Sequence, residues 1–125
     1  MIEGISLNNI AIDCKDAFSL RDFYSLLLGW QKQEMYNCPT IVSPSGLTFL
    51  FMPDDDFDYV SPVWPEEEGL QQKQMHFDFV VDDLLSAVEY AISIGATKAP
   101  EQFGGNDFTV MFDLEGHPFC LCAKD

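Results

Sequence analysis

His76, Asp78 and Cys120 are the residues of this 125-residue chain best equipped for chemistry. An imidazole exchanges protons near neutral pH, a neighbouring carboxylate tunes that exchange, and a thiol ionises to a strong nucleophile. The same three side chains are nitrogen, oxygen and sulfur donors for a divalent ion. Each also has a plainer role. A histidine on a strand is commonly a hydrogen-bonded structural residue, an aspartate there a solvated charge, and a cysteine a small buried hydrophobe.

The elements that must position these residues follow from periodicity. Within Ala17–Leu28, the residues Leu20, Phe23, Tyr24, Leu27 and Leu28 form one apolar helical face, with Asp16 as N-cap and Gly29 as stop. A second helix over about Leu84–Ile94 repeats the design with Leu84, Leu85, Val88, Ala91 and Ile92, after Asp82-Asp83 and before Gly95. Strands are expected at Leu7–Asp13 and Gln74–Val81 before the helices. After the first helix they fall near Trp30–Tyr36, Pro39–Ser43 and Leu47–Met52, and after the second at Thr97–Phe103, Phe108–Asp113 and Pro118–Cys122. Each half therefore reads strand–helix–strand–strand–strand.

The halves align with each other. Asn9 precedes Asp16 by the same spacing as His76 precedes Asp83, Leu28-Gly29 matches Ile94-Gly95, and Gly46 matches Gly116. Leu50 thereby corresponds to Cys120. Several anchors agreeing at once mark an internal duplication. The fold class is α+β: two tandem βαβββ modules in a curved mixed sheet around a pocket. Module 1 spans about 5–52, a connecting loop 53–73 and module 2 about 74–123, all within one domain.

Strand alternation sorts the side chains. Ile10, Ile12, Leu47, Phe49, Phe51, Met75, Phe77, Phe79, Val81, Phe119 and Leu121 are expected beneath the helices. The opposite face gathers Asn9, Asp13, Leu50, Met52, Gln74, His76, Asp78, Cys120 and Cys122. An apolar wall with a few convergent polar groups suits a small-molecule pocket. The connecting loop adds Phe57, Tyr59 and Trp64, either as an ordered flap able to stack on flat ligands or as surface packing.

A net charge of −15 argues against nucleic acid or an anionic membrane as partner and favours neutral or cationic ligands. Its clusters, Asp54-Asp55-Asp56 and Glu66-Glu67-Glu68, lack EF-hand spacing and read as solvated loop charge. No apolar run approaches the roughly 20 residues that span a bilayer, and no leader is visible at Met1-Ile2-Glu3-Gly4. Cys14, Cys38, Cys120 and Cys122 are expected as reduced thiols in a cytoplasmic protein.

The duplicated unit resembles the vicinal oxygen chelate superfamily, which includes glyoxalase I, extradiol dioxygenases and bleomycin-resistance proteins. The resemblance covers nearly the whole chain. It rests on Ile10-Ala11-Ile12-Asp13, Leu28-Gly29-Trp30, His76-Phe77-Asp78-Phe79 and Phe112-Asp113-Leu114-Glu115-Gly116-His117-Pro118-Phe119. The run Tyr59-Val60-Ser61-Pro62-Val63-Trp64-Pro65, followed by Gln74-Met75-His76, resembles the glyoxalase-like branch. By position the resemblance implies metal ligands at Asn9, Leu50, His76 and Cys120. Leucine cannot coordinate, so no cofactor is expected; any zinc, nickel, iron or manganese would fall to His76, Cys120 and Asn9, with Asp78 a further carboxylate.

Two functions follow. One is a metal-independent pocket binding a small, partly apolar, neutral or cationic molecule through Asn9, Asp13, Leu50, Met52, Tyr59, Trp64, Gln74 and Cys122. The other is a lyase, isomerase or dioxygenase-type enzyme acting beside a carbonyl, with His76 as base or ligand, Asp78 tuning it, or Cys120 as thiolate. No Arg or Lys is expected on the pocket face to stabilise an oxyanion. The resemblance also implies a homodimer.

Overall fold

The computed structural model describes residues 1–54 and 58–124; Asp55, Asp56 and Phe57, named above, lie outside them. The chain divides at Tyr59/Val60 into two compact units. The first contains β1 (Ile10–Cys14), α1 (Ala17–Leu28), β2 (Gln31–Met35), β3 (Cys38–Val42) and β4 (Thr48–Pro53). The second contains β5 (Phe77–Val81), α2 (Leu84–Ser93), β6 (Thr97–Lys98), β7 (Phe108–Phe112) and β8 (Pro118–Ala123). Each is a four-stranded mixed sheet carrying one helix, in the orders β1-β4-β3-β2 and β5-β8-β7-β6. This is the βαβββ unit twice.

The repeat extends to register. β1 runs parallel to β4 with Ala11 opposite Leu50, and β5 runs parallel to β8 with Asp78 opposite Cys120. The antiparallel neighbours place Thr40 beside Leu50 and Val110 beside Cys120. The two units thus carry different side chains at equivalent register positions: Ala11 and Leu50 occupy in the first the places that Asp78 and Cys120 occupy in the second.

Both helices begin where expected. The Asp16 carboxylate accepts the Ser19 N–H at 3.1 Å and Asp83 accepts that of Ser86 at 3.1 Å, satisfying amides a helix leaves unpaired. Gly29, at φ 73°, ends α1 in the left-handed conformation. In unit 1 the helix face of Ala17, Leu20, Phe23 and Tyr24 is buried, and Tyr24 stacks on Phe51 with centroids 5.8 Å apart. In unit 2 the buried helix residues are Val88 and Ala91, while Leu85 and Ile92 are exposed. Those two were expected inside. They sit roughly a quarter-turn from the centre of the Leu84–Val88–Ala91 stripe, and a ten-residue helix on a narrow sheet buries a narrower face.

Three strands are shorter than their apolar pattern. β5 starts at Phe77, so alternation never reaches Met75, which is 79% exposed rather than beneath the helix. Pro118, the residue before Phe119 on β8, brings no N–H to extend that ladder. β1 likewise starts at Ile10 rather than Leu7, and Leu47 lies exposed ahead of β4. β6 stops at Lys98, because Pro100 cannot continue it. Gln102 takes over: its side-chain amide donates to the Val110 carbonyl at 2.8 Å and accepts the Val110 N–H at 2.8 Å. A side chain here completes the sheet edge in place of backbone.

Candidate functional site

The site is built on the face of the second sheet away from α2. Asp78 and Cys120 are register partners on adjacent strands, and His76 lies two residues before Asp78, just ahead of β5. Their donor atoms all lie within 4.8 Å of one another, and His76 Nε2 is 3.2 Å from Asp78 Oδ1. Of the residues expected to do chemistry, these three are brought together.

The surroundings are apolar. Cys120 packs with Ala99 and Val110, against Trp64, Phe108, Phe112 and Cys122. The segment carrying Trp64 doubles back through a bridge between Val63 and Gln72, and Ser61 Oγ pins it by donating to the Glu115 carbonyl at 2.6 Å. Its indole meets the His76 ring at a centroid distance of 4.8 Å and Phe103 at 5.6 Å. Within this unit Trp64 therefore packs against the Cys120 cluster, His76 and Phe103.

Two side chains escape the sequence reading. Lys73 pairs with Glu66, and its Nζ lies 4.4 Å above the Trp64 ring. It also lies close enough to Cys120 to draw that thiol's pKa downward. A cation therefore does approach the face expected to have none. Local spacing gives no signal for it, because the loop's fold-back brings it there. Phe103 was assigned to a strand that ends at Lys98.

Cys120 is only 2% exposed, and burial, then the Asp78 charge and a hydrogen bond to that carboxylate, push its thiol up to about 12. Cys122 is raised by burial and Asp78 as well. These surroundings favour the protonated thiol of Cys120 near neutral pH. His76 and Asp78, with side chains 30% and 62% exposed, keep access to solvent. Gln74 is exposed and Cys122 half-buried on the same unit.

Asn9, Asp13, Leu50, Met52 and Tyr59 belong to the first unit. Asn9 is half-buried and accepts the Asn8 side-chain N–H at 2.7 Å; Asp13 and Met52, register partners, are exposed; Tyr59 is half-buried. Leu50 is 1% exposed. With Cys120 equally hidden, the centre of each sheet's second face is out of water, not the open strip that alternation alone suggests.

A divalent ion, which the fold implies, does not fit the four equivalent positions Asn9, Leu50, His76 and Cys120, since Leu50 offers only hydrocarbon. The trio His76, Asp78 and Cys120 does fit by donor chemistry: imidazole, carboxylate and thiol suit zinc-like ions.

A sequence model of the glyoxalase-like domain matches residues 9–122. No curated protein matches the chain. Among solved structures, a glyoxalase family protein from Enterococcus faecalis is 21% identical with TM-score 0.63, over 97% of this chain and 99% of that one. The fosfomycin resistance protein FosX of Listeria monocytogenes is 18% identical with TM-score 0.67, over 100% and 96%. A glyoxalase/bleomycin resistance protein/dioxygenase family enzyme from Burkholderia phytofirmans PsJN is 17% identical with TM-score 0.64, over 93% and 96%. At these identities the likeness shows the fold. The match to the domain along nearly its whole length, on a register-true βαβββ duplication, makes this chain a member of the glyoxalase-like domain family, within the vicinal oxygen chelate superfamily.

Proposed function

We propose that the chain binds a small, partly apolar, neutral or cationic molecule on the second unit, against Trp64 and the His76–Asp78–Cys120 group. The observation that carries the reading is the half-exposed His76–Asp78 pair set directly against the Trp64–Phe103 aromatic pair. That combination offers a ring to stack on and a carboxylate to receive a donor or a positive charge. A net charge of −15 raises the local concentration of cations and repels phosphates. Asn9, Asp13, Leu50, Met52 and Tyr59 lie on the first unit, and the proposed site is built from the second alone. The reading needs no metal; zinc, nickel, iron or manganese held by the trio would supply Lewis-acid polarisation of a ligand oxygen.

One observation favours an enzyme as second reading. Lys73 brings a cation beside a site whose His76 is placed to move a proton, which is the pairing that carbonyl-adjacent lyase or isomerase chemistry requires. A homodimer and a cytoplasmic setting belong to the same account. Exposed Met75, Val80, Leu85 and Ile92 favour the first, and the expectation of reduced thiols for the four cysteines favours the second. Among the described residues, no helix is long and apolar enough to cross a membrane.

A thermal-shift screen of neutral and monocationic aromatic fragments, in chelator, tests the binding reading. Ligands that bind only the folded state raise Tm. Stabilisation by such fragments that falls about fivefold in apparent affinity in Trp64→Ala is expected, since stacking of this kind is worth ~1 kcal/mol. Preferential stabilisation by anionic fragments, or hits indifferent to Trp64→Ala, would remove the reading.

A further inference from the structure

We propose that Ser61 is a positioning residue of the site: latched to the Glu115 carbonyl across the bare backbone of Gly116, it aims Trp64 at His76 and so sets ligand affinity. The inference rests on the small-molecule reading and deepens it by naming what holds the aromatic wall.

The strap over residues 60–73 is tied largely to itself. Val63 donates its N–H to the Gln71 carbonyl at 2.9 Å, Leu70 donates to that of Glu67 at 3.2 Å, and Lys73 pairs with Glu66. Among the described residues, its hydrogen bond to the β7–β8 turn is the one from Ser61 Oγ to the Glu115 carbonyl, at 2.6 Å. Trp64 lies three residues beyond Ser61, so a displacement at the latch reaches the indole directly. The receiving turn is itself held. The Asp113 carboxylate accepts the N–H groups of Glu115 and His117, and Leu114 fills the space beside Gly95, where a Cβ would lie 2.6 Å from its Cδ2.

Gly116 carries the argument furthest. A Cβ there would stand 2.8 Å from both Cβ and Oγ of Ser61. Its counterpart Gly46 turns at φ 93° against 85°, yet a Cβ on Gly46 would meet nothing within 4 Å. The reversal alone therefore asks for glycine in both units. Only in the unit carrying His76, Asp78 and Cys120 must the glycine also admit a side chain from the strap.

Tryptophan fluorescence in a Trp30→Phe background, where Trp64 alone emits, tests the latch. Ser61→Ala alters an exposed side chain and should leave the circular dichroism unchanged while red-shifting Trp64 emission and raising its quenching by acrylamide. Affinity for benzylammonium, a monocationic aromatic probe, should fall about twofold in chelator, because one exposed hydrogen bond is lost. Gly116→Ala should cost about fivefold, as much as Trp64→Ala, because Ser61 must then leave altogether. Gly46→Ala introduces the same backbone strain and should lower Tm without changing emission or affinity. In a Ser61→Gly background the clash is gone, so Gly116→Ala should change emission and affinity no further. Unmoved emission in both Ser61→Ala and Gly116→Ala, a Gly46→Ala effect as large as that of Gly116→Ala, or affinity indifferent to a displaced indole would each overturn the proposal. With fragments bound and Trp64 unmoved by these variants, the latch alone falls; with neither benzylammonium nor any neutral fragment bound by the unsubstituted protein, the ligand reading falls.

Discussion

Replacing Asp113 by alanine is expected to destabilise the protein by about 3–4 kcal/mol, lowering Tm by roughly 10–15 °C. The Asp113 side chain is fully buried at the β7–β8 turn. Its carboxylate accepts N–H bonds from Glu115 at 2.8 Å and from His117 at 3.0 Å, and lies 2.8 Å from His117 Nδ1. Gly116, at φ 85°, lets the chain reverse so that these donors point inward. Alanine leaves them facing a space that water fills poorly, and each stranded donor costs free energy. The corresponding turn of the first unit uses Ser43, whose Oγ accepts the Leu47 N–H at 2.9 Å. Ser43→Ala should therefore cost only about 1 kcal/mol. Thermal and urea unfolding of the two variants check the contrast, and equal losses would show that the carboxylate's extra bonds contribute nothing.

Alkylation of Cys120 is expected to be about a thousandfold slower in the folded, metal-free protein at pH 8 than in the unfolded chain. The thiol rises from an ordinary 9.0 to about 12, and the thiolate population falls accordingly. Burial contributes most to the rise, so Asp78→Asn should speed labelling without restoring the unfolded rate. Stability follows with a definite sign. Below about pH 9 both states hold the proton and the contribution is fully present; between 9 and 12 the unfolded state releases it first, so stability falls as pH rises. Peptide mass spectrometry of iodoacetamide labelling, with urea unfolding across pH 8–11, measures both. Rapid labelling of Cys120 in the folded state would contradict the burial that defines this site.

What the sequence made legible was repetition. The cap–face–stop pattern located α1 to the residue, and the glycine match between Gly46 and Gly116 placed Leu50 and Cys120 at equivalent register positions. Alternation correctly put Phe119 and Leu121 opposite Cys120 and Cys122 along β8. It failed where backbone pairing stops early. Met75 lies beyond the first ladder pair of β5, and Phe103 beyond the point where Pro100 hands the sheet edge to the Gln102 amide.

The site was legible only as a set of residue types. That His76, Asp78 and Cys120 come within reach of each other follows from parallel register, which alternation alone does not supply. Lys73 reaches Trp64 and the neighbourhood of Cys120 through a fold-back pinned by Ser61 and the Val63–Gln72 bridge. Nothing periodic encodes such a path. The height of the Cys120 pKa needed both the burial and the facing carboxylate, each a property of assembled sheet rather than of a C-x-C spacing.

The central claim is that ligands bind at Trp64 and the His76–Asp78–Cys120 face. The chain has two tryptophans, and Trp30 packs on Phe49 in the other unit, so an amide–proton correlation spectrum reports the site through one of two indole signals. Titration with a stabilising aromatic fragment in chelator should move the Trp64 indole signal and the amides of His76, Asp78 and Cys120 saturably. A fragment that binds while all four stay unmoved would contradict the account.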